Sequence, residues 1–363
     1  MSANSILPRM AAVFLSRRYV RSLRPVATTL LGIGLFIATL PTAQANTRVN
    51  PDQPPPALVQ TSPSITIDYT TDHLVAAYTD DPFAGNGIGV SYRTHSVAGP
   101  WIDGVFTAPA GGYFGIEEDA SIAADNTGFV YAGYVSYDNL APNNQNSAVN
   151  VARSNDGGAT FPTTAQVVLR SGPIQATPFV IQAKLEADDF GPGSPYAGNV
   201  YVVWEEDLPG MPFWRFSDIN VAAAGHGGMS WSVPQTINDR AGGGLNLWPD
   251  LAVGPTGDLY AAWLGAPYWL NHQGTIWIDR STDGGATFGT DVPAVSFWNV
   301  PQMLTDTGGQ PTYAAIGYPS CEVDPSNASH VCAVYACDPD DGPAVETRLD
   351  VGDQPPGAND VAL

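Results

Sequence analysis

Basic residues are scarce in this chain of 363 residues, which has 14 Lys and Arg against 35 Asp and Glu. Lys184 is the single lysine. So few cations exclude nucleic acid and anionic membranes as partners, because both are bound through clustered positive charge. Sustained helical periodicity is missing, and with it any helical bundle. The five histidines (His73, His95, His226, His272, His330) lack the spacing of a metal site. A nucleophile elbow, a phosphate-binding loop and a dinucleotide fingerprint are also lacking. Only three cysteines occur: Cys321, Cys332 and Cys337. In an oxidising compartment they predict one disulfide, Cys321–Cys332, across a tight hairpin through Pro325-Ser326-Asn327, with one thiol left over.

The first 45 residues differ from the rest. Five arginines (Arg9, Arg17, Arg18, Arg21, Arg24) precede an apolar run from Val26 to Leu40, then Ala43-Gln44-Ala45. A basic start, a short apolar run and an A-x-A step predict an export signal and a secreted or periplasmic protein. Arg17-Arg18 within Ser16–Arg21 also fits a twin-arginine signal, so both export routes stand open. Cleavage after Ala45 leaves nine basic against 35 acidic residues, a formal −26. The remainder carries no membrane-spanning segment. A Pro-rich stretch, 46–63, comes next, and 64–363 reads as one domain.

Gly and Pro supply 70 residues, which punctuate short β-rich runs. Those runs repeat. A first strand ends at Asp68, Asp125, Asp188, Gly254 and Asp324, with separations of 57, 63, 66 and 70 residues. Each is followed by a second strand ending on an aromatic: Leu74–Tyr78, Phe129–Tyr134, Val200–Trp204, Leu259–Trp263 and Val331–Tyr335. Third strands read at Ile88–Tyr92, Ala148–Arg153, Ile219–Ala223 and Thr275–Arg280. In the last unit Asn359–Leu363 reads as the start of the third strand.

Two third strands run into one pattern, S-x-D-x-G-x-T-F. It stands at Ser154, Asp156, Gly158, Thr160, Phe161 and again at Ser281, Asp283, Gly285, Thr287, Phe288. The Asp accepts turn N–H groups, Gly supplies a positive φ, Ser and Thr satisfy further turn groups, and the Phe anchors the next strand. Ala224–Trp231 is a reduced copy with His226 in place of the Asp.

This pattern resembles the Asp box, or BNR repeat, of the sialidase superfamily. The resemblance covers most of residues 60–363. It implies an all-β fold: a β-propeller of four-stranded blades, six in many members of that superfamily, with about five visible here. The chain therefore reads as truncated, or closed by another segment such as Pro51–Pro63. A two-sheet sandwich is the rival all-β reading.

The resemblance also implies that the boxes lie opposite the active face. On that basis the strand two-to-three loops (79–87, 135–147, 205–218, 264–274, 336–359) and the blade connections (107–119, 165–184, 235–250) line the ligand face. They hold Glu205, Glu206 and Asp250, together with Asp119, Asp207, Trp248 and other acids and aromatics. Carboxylate pairs near aromatic platforms suit sugar chemistry, in which one acid protonates a leaving group and another stabilises the cationic centre. Asp80-Asp81 offers a calcium alternative. Sialidases clamp a substrate carboxylate with three arginines. Arg170, Arg215 and Arg240 are the candidates by position, although no R-I-P type motif occurs between Asn46 and Asp125. Two functions follow: an exported glycan- or ligand-binding propeller without catalysis, or an exo-α-sialidase-type hydrolase acting on terminal sugars.

Overall fold

The computed structural model describes residues 60–80, 87–97, 99–106, 116–141, 144–209, 216–239, 244–266, 273–298, 303–305, 311–313, 319–327, 330–337 and 346–353. The expected export signal, the Pro-rich stretch up to 59, Asp81, Arg215 and Arg240 lie outside them.

The chain is an all-β propeller built of antiparallel sheets that follow one another in sequence. Blade one is Gln60–Asp68, His73–Asp80, Ile88–Thr94 and Ile102–Asp103. Blade two is Ile116–Ala124, Val130–Ala141, Asn144–Ser154 and Thr163–Pro173. Blade three is Phe179–Ala187, Val200–Asp207, Ser217–Ala224 and Gln235–Thr236. Blade four is Leu245–Val253, Leu259–Ala266, Gln273–Ser281 and Val292–Trp298. The fifth sheet has three described strands: Ser320–Val323, His330–Cys337 and Glu346–Asp353. The only helical element among the described residues is a 3-10 turn, Gly191–Gly193. None of these elements is a helix long and apolar enough to cross a membrane.

The first strands of successive blades lie against one another in an inner row. The core therefore sits between blades. One cluster joins Val75 and Val90 of blade one to Ile122 and Val130 of blade two; another joins Tyr201 and Ile219 of blade three to Leu251 and Trp263 of blade four. This explains the second strands' composition. Stacked on both faces, Leu259–Ala266 is buried at every position, so it reads as an unbroken apolar run with no alternation.

The two S-x-D-x-G-x-T-F turns are near copies. Gly158 N–H donates to Ser154 Oγ (2.9 Å), Thr160 N–H to Asp156 Oδ1 (2.8 Å) and Thr160 Oγ1 to Asp156 Oδ2 (2.6 Å). The matching distances at Ser281, Asp283, Gly285 and Thr287 are 2.9, 2.8 and 2.6 Å. Each turn docks on the preceding blade. His73 Nδ1 meets Gly157 O at 2.9 Å, and Tyr196 OH donates to Thr282 O at 3.4 Å. The copy lacking the Asp docks too, since Arg153 Nη1 donates to Gly227 O at 2.7 Å and lies 4.8 Å over the Phe129 ring. Val105–Phe106, which follows the last strand of blade one, also pairs in parallel with Thr160–Phe161.

Three expectations need correction. The last third strand is Glu346–Asp353, pairing along His330–Cys337, and not Asn359–Leu363. Several intended loops are strand, because pairing continues past the apolar runs: Val130–Ala141 and Asn144–Ser154 stay paired to Asp138↔Asn146, and Val200–Asp207 to its end. The Cys321–Cys332 disulfide is absent, and Cys321 is a buried free thiol. The register pairs Cys321 with Ala333 and Glu322 with Cys332, so the two cysteines are not cross-strand partners.

Candidate functional site at the bulged ends of the inner strands

The inner strands share an irregularity at the end away from the turns. Register shifts fall at Glu118/Ser121, Ile181/Lys184 and Leu247/Asp250. Within them Asp119, Gln182 and Trp248 stand at φ of 59°, 55° and 51°. Each lies six residues before the repeat's first-strand end at Asp125, Asp188 or Gly254. A bulge adds one residue, turns the backbone and re-aims its N–H. Here the re-aimed groups are met by carboxylates: Gln182 N–H donates to Asp119 Oδ2 (2.7 Å) and Trp248 N–H to Glu205 Oε2 (3.2 Å).

Two residues after the bulge a side chain bridges to the next blade. Ser64 Oγ accepts from Ile122 N–H (3.1 Å), Ser121 Oγ from Leu185 N–H (3.0 Å) and Asp250 Oδ2 from Cys321 N–H (3.0 Å). Lys184 holds this position in blade three and cannot accept. Asp250 takes over: its carboxyl also meets Leu251 N–H, and Lys184 draws its pKa down against a burial that raises it overall.

The end of the second strand of blade three carries Glu205, Glu206 and Asp207. Glu205 is 2% exposed. Burial first, then the charge of Asp207, pushes its carboxyl well above the usual range. Burial likewise pushes Asp207 up to about 7. Asp207 faces Phe179 in the register, whose ring packs edge-on to Tyr137 at 5.5 Å. Chemically this is a partly exposed carboxyl that exchanges its proton near neutrality, beside a buried acid and an aromatic pair.

The sequence candidates separate accordingly. Glu205, Glu206 and Asp250 lie on strands, not in loops. Arg170 lies on the outer strand of blade two, not in a blade connection. It donates from Nε to Glu206 Oε1 (3.1 Å) and from Nη2 to Glu206 Oε2 (2.9 Å), while Trp204 Nε1 donates to the same carboxylate at 3.3 Å. Arg170 is thus an inter-blade tie. Asp80 closes the second strand of blade one, and its side chain lies outside the description with Asp81. Among the described residues no group of three or more His, Cys, Asp or Glu is arranged to hold a metal ion. Reasoning from sequence missed the bulges and the role of Lys184; the six-residue offset from the repeat marker was the available signal.

No family model and no curated protein matches the chain. Among solved structures it is similar to a protein of unknown function from Dyadobacter fermentans, at 14% identity over 80% of this chain and 94% of that one, TM-score 0.45. A Penicillium chrysogenum α-L-arabinanase complexed with arabinobiose matches at 10% identity over 86% and 82%, TM-score 0.49. The Hadza microbial sialidase Hz136 matches at 11% identity over 77% of this chain, which spans 63% of that chain's length, TM-score 0.43. At these scores the likenesses carry no argument about activity, and the architecture stands on the blades themselves.

Proposed function

We propose that the chain is an exported, glycan-binding propeller whose ligand site lies at the bulged end of blades two to four, around Asp207. The observation that carries this reading is Asp207 itself. It is a desolvated, partly exposed carboxyl with a pKa of about 7, next to buried Glu205 and cross-strand from Phe179. Carboxyls accept and donate to sugar hydroxyls, and aromatic rings take the apolar faces of sugars. In this reading the two S-x-D-x-G-x-T-F turns are Asp boxes that clasp neighbouring blades at the opposite end, and residues 1–45 are removed on export. N-terminal sequencing of the exported protein, with Asn46 expected first, checks that last point.

The test is titration of neutral oligosaccharides into the folded protein and its Asp207→Asn variant. Saturable binding that weakens at least tenfold in the variant supports the site. Equal affinity moves the ligand elsewhere.

A second reading, glycoside hydrolysis, is favoured by the Glu205–Asp207 pair. Two neighbouring carboxyls with raised proton affinities can hold a proton at neutral pH for a leaving oxygen. Turnover of fluorogenic arabinofuranosides or sialosides, lost in Asp207→Asn, would establish it.

A further inference from the structure

Resting on that placement of the ligand site, we propose that Asp119, Gln182 and Trp248 form one row of ligand-contacting side chains across blades two to four, so that the bulged end takes a chain of sugar units and not a single sugar. Among the described residues, four that are not glycine stand at positive φ. Asp72 is one, in the turn before His73. The other three are the bulge residues of three consecutive inner strands. This conformation is strained for a residue with a side chain, and most of all for a bulky one such as Trp. Glycine adopts it freely and would form the same bulge without that strain. Blade one shifts register at the corresponding step, Thr61/Ser64, so the bulge belongs to the blade. The kind of residue at its apex does not follow from that.

Structural duties account for two of the three. Asp119 Oδ2 accepts the Gln182 N–H at 2.7 Å, which ties one bulge to the next. Trp248 packs against the cluster that holds Leu245 and Leu264. Gln182 has no comparable duty: Asp119 holds its backbone, and its carboxamide makes no hydrogen bond with a described residue. All three residues are partly exposed. Strain that is kept where glycine would relieve it marks a side chain with a use, and such positions gather at ligand sites. The row is continuous with Asp207. Trp248 N–H meets Glu205 Oε2 at 3.2 Å, and the charges of both Asp119 and Asp207 act on Glu205. Its chemistry suits sugars: an indole covers the apolar face of a ring, a carboxamide supplies a donor and an acceptor, and a carboxylate accepts from hydroxyls. Sheets packed face to face stand about 10 Å apart, so side chains on three successive blades are spread over more than one sugar ring.

The experiment titrates ladders of neutral oligosaccharides, one to four units of glucose, galactose or arabinose, into the whole exported protein, Gln182→Gly and Trp248→Phe, with a melting curve for each. In the parent the affinity is expected to rise about tenfold or more from one unit to three. Gln182→Gly should melt level with the parent, because relief of strain offsets the looser unfolded chain. It should keep the single-unit affinity and lose roughly fivefold or more of the rise. Gln182→Asn, which tolerates positive φ and keeps a carboxamide, should restore part of that loss. Trp248→Phe, with a smaller ring, should weaken the three-unit ligand more than the single unit. A parent that binds one unit as tightly as three overturns the proposal and leaves the Asp207 site intact. A Gln182→Gly protein that binds every length as the parent does overturns it as well. So does one that melts well below the parent, which assigns the side chain to packing. A folded protein that binds no sugar of any length removes the glycan reading itself, and this inference with it.

Discussion

Trp248, held at φ 51°, donates its backbone N–H to Glu205 Oε2 across the boundary between blades four and three. The contact gives Glu205 a duty that its neutral and its charged form both fulfil. Gln in its place keeps an acceptor oxygen and removes the buried charge. Glu205→Gln is therefore expected to match the parent's stability at pH 5 and exceed it at pH 8. Glu205→Ala strands the Trp248 N–H and should cost about 1–3 kcal/mol. Urea unfolding of both variants at the two pH values decides this.

Asp207 sets a slope of stability with pH. Its folded pKa of about 7 lies above the ordinary value of 3.8. The folded state therefore holds a proton that the unfolded chain releases first, and stability falls as pH rises from about 4 to about 7. The loss is on the order of a few kcal/mol. Asp207→Asn should melt level with the parent at pH 4 and above it at pH 8. Parallel melting curves across that range would contradict the assignment.

The docking turns rank two glycines. Gly158 stands at φ 86°, and a Cβ there would meet Val75 Cγ1 of the preceding blade at 2.5 Å. Gly285 at φ 81° would meet Tyr201 at 3.3 Å. Both alanine variants carry backbone strain of about 1 kcal/mol or more, and Gly158→Ala adds a clash with a β-branched strand residue. Its melting temperature is expected to fall further than that of Gly285→Ala.

Lys184 and Asp250 form a coupled exception within the inter-blade row. Asp250→Ser alone removes the carboxylate on which the Lys184 charge acts and the acceptor of Leu251 N–H. Lys184→Ser restores the serine used by blades one and two. The double variant should lose less stability than the two single losses summed, by about 1 kcal/mol or more. Strict additivity in a double-mutant cycle would mean that the two side chains act independently.

For the free thiol, peptide mapping without reductant is expected to recover Cys321 unlinked, and reductant should leave the melting curve unchanged as far as this residue is concerned. A Cys321–Cys332 peptide would require the strand register of the fifth sheet to slip by one residue.

Much of the fold was legible in the residues. The step ending at Asp68, Asp125, Asp188, Gly254 and Asp324, and the aromatic-ended second strands, recur because every blade solves the same burial problem. The S-x-D-x-G-x-T-F turns were legible because their hydrogen bonds join residues two to four apart. Hydropathy understates strand length where polar residues stay paired, as at Glu205–Asp207 and Asn144–Ser147. There the backbone register, and not hydropathy, sets the length. Arg170 reads as a clamp because charge and position are visible in a sequence, whereas its engagement by Glu206, 36 residues away, is not.

The sequence by itself determined the repeat, its strand order and its turns, since these depend on period, local hydrogen bonding and residue conformation. Tertiary structure decided the pairing of Arg170 with Glu206, the acceptance of the Trp248 N–H by Glu205, the substitution of Asp250 for a serine beside Lys184, and the separation of Cys321 from Cys332. Each of these depends on which blade lies against which, or on a register in which a shift of one residue turns every side chain to the opposite face.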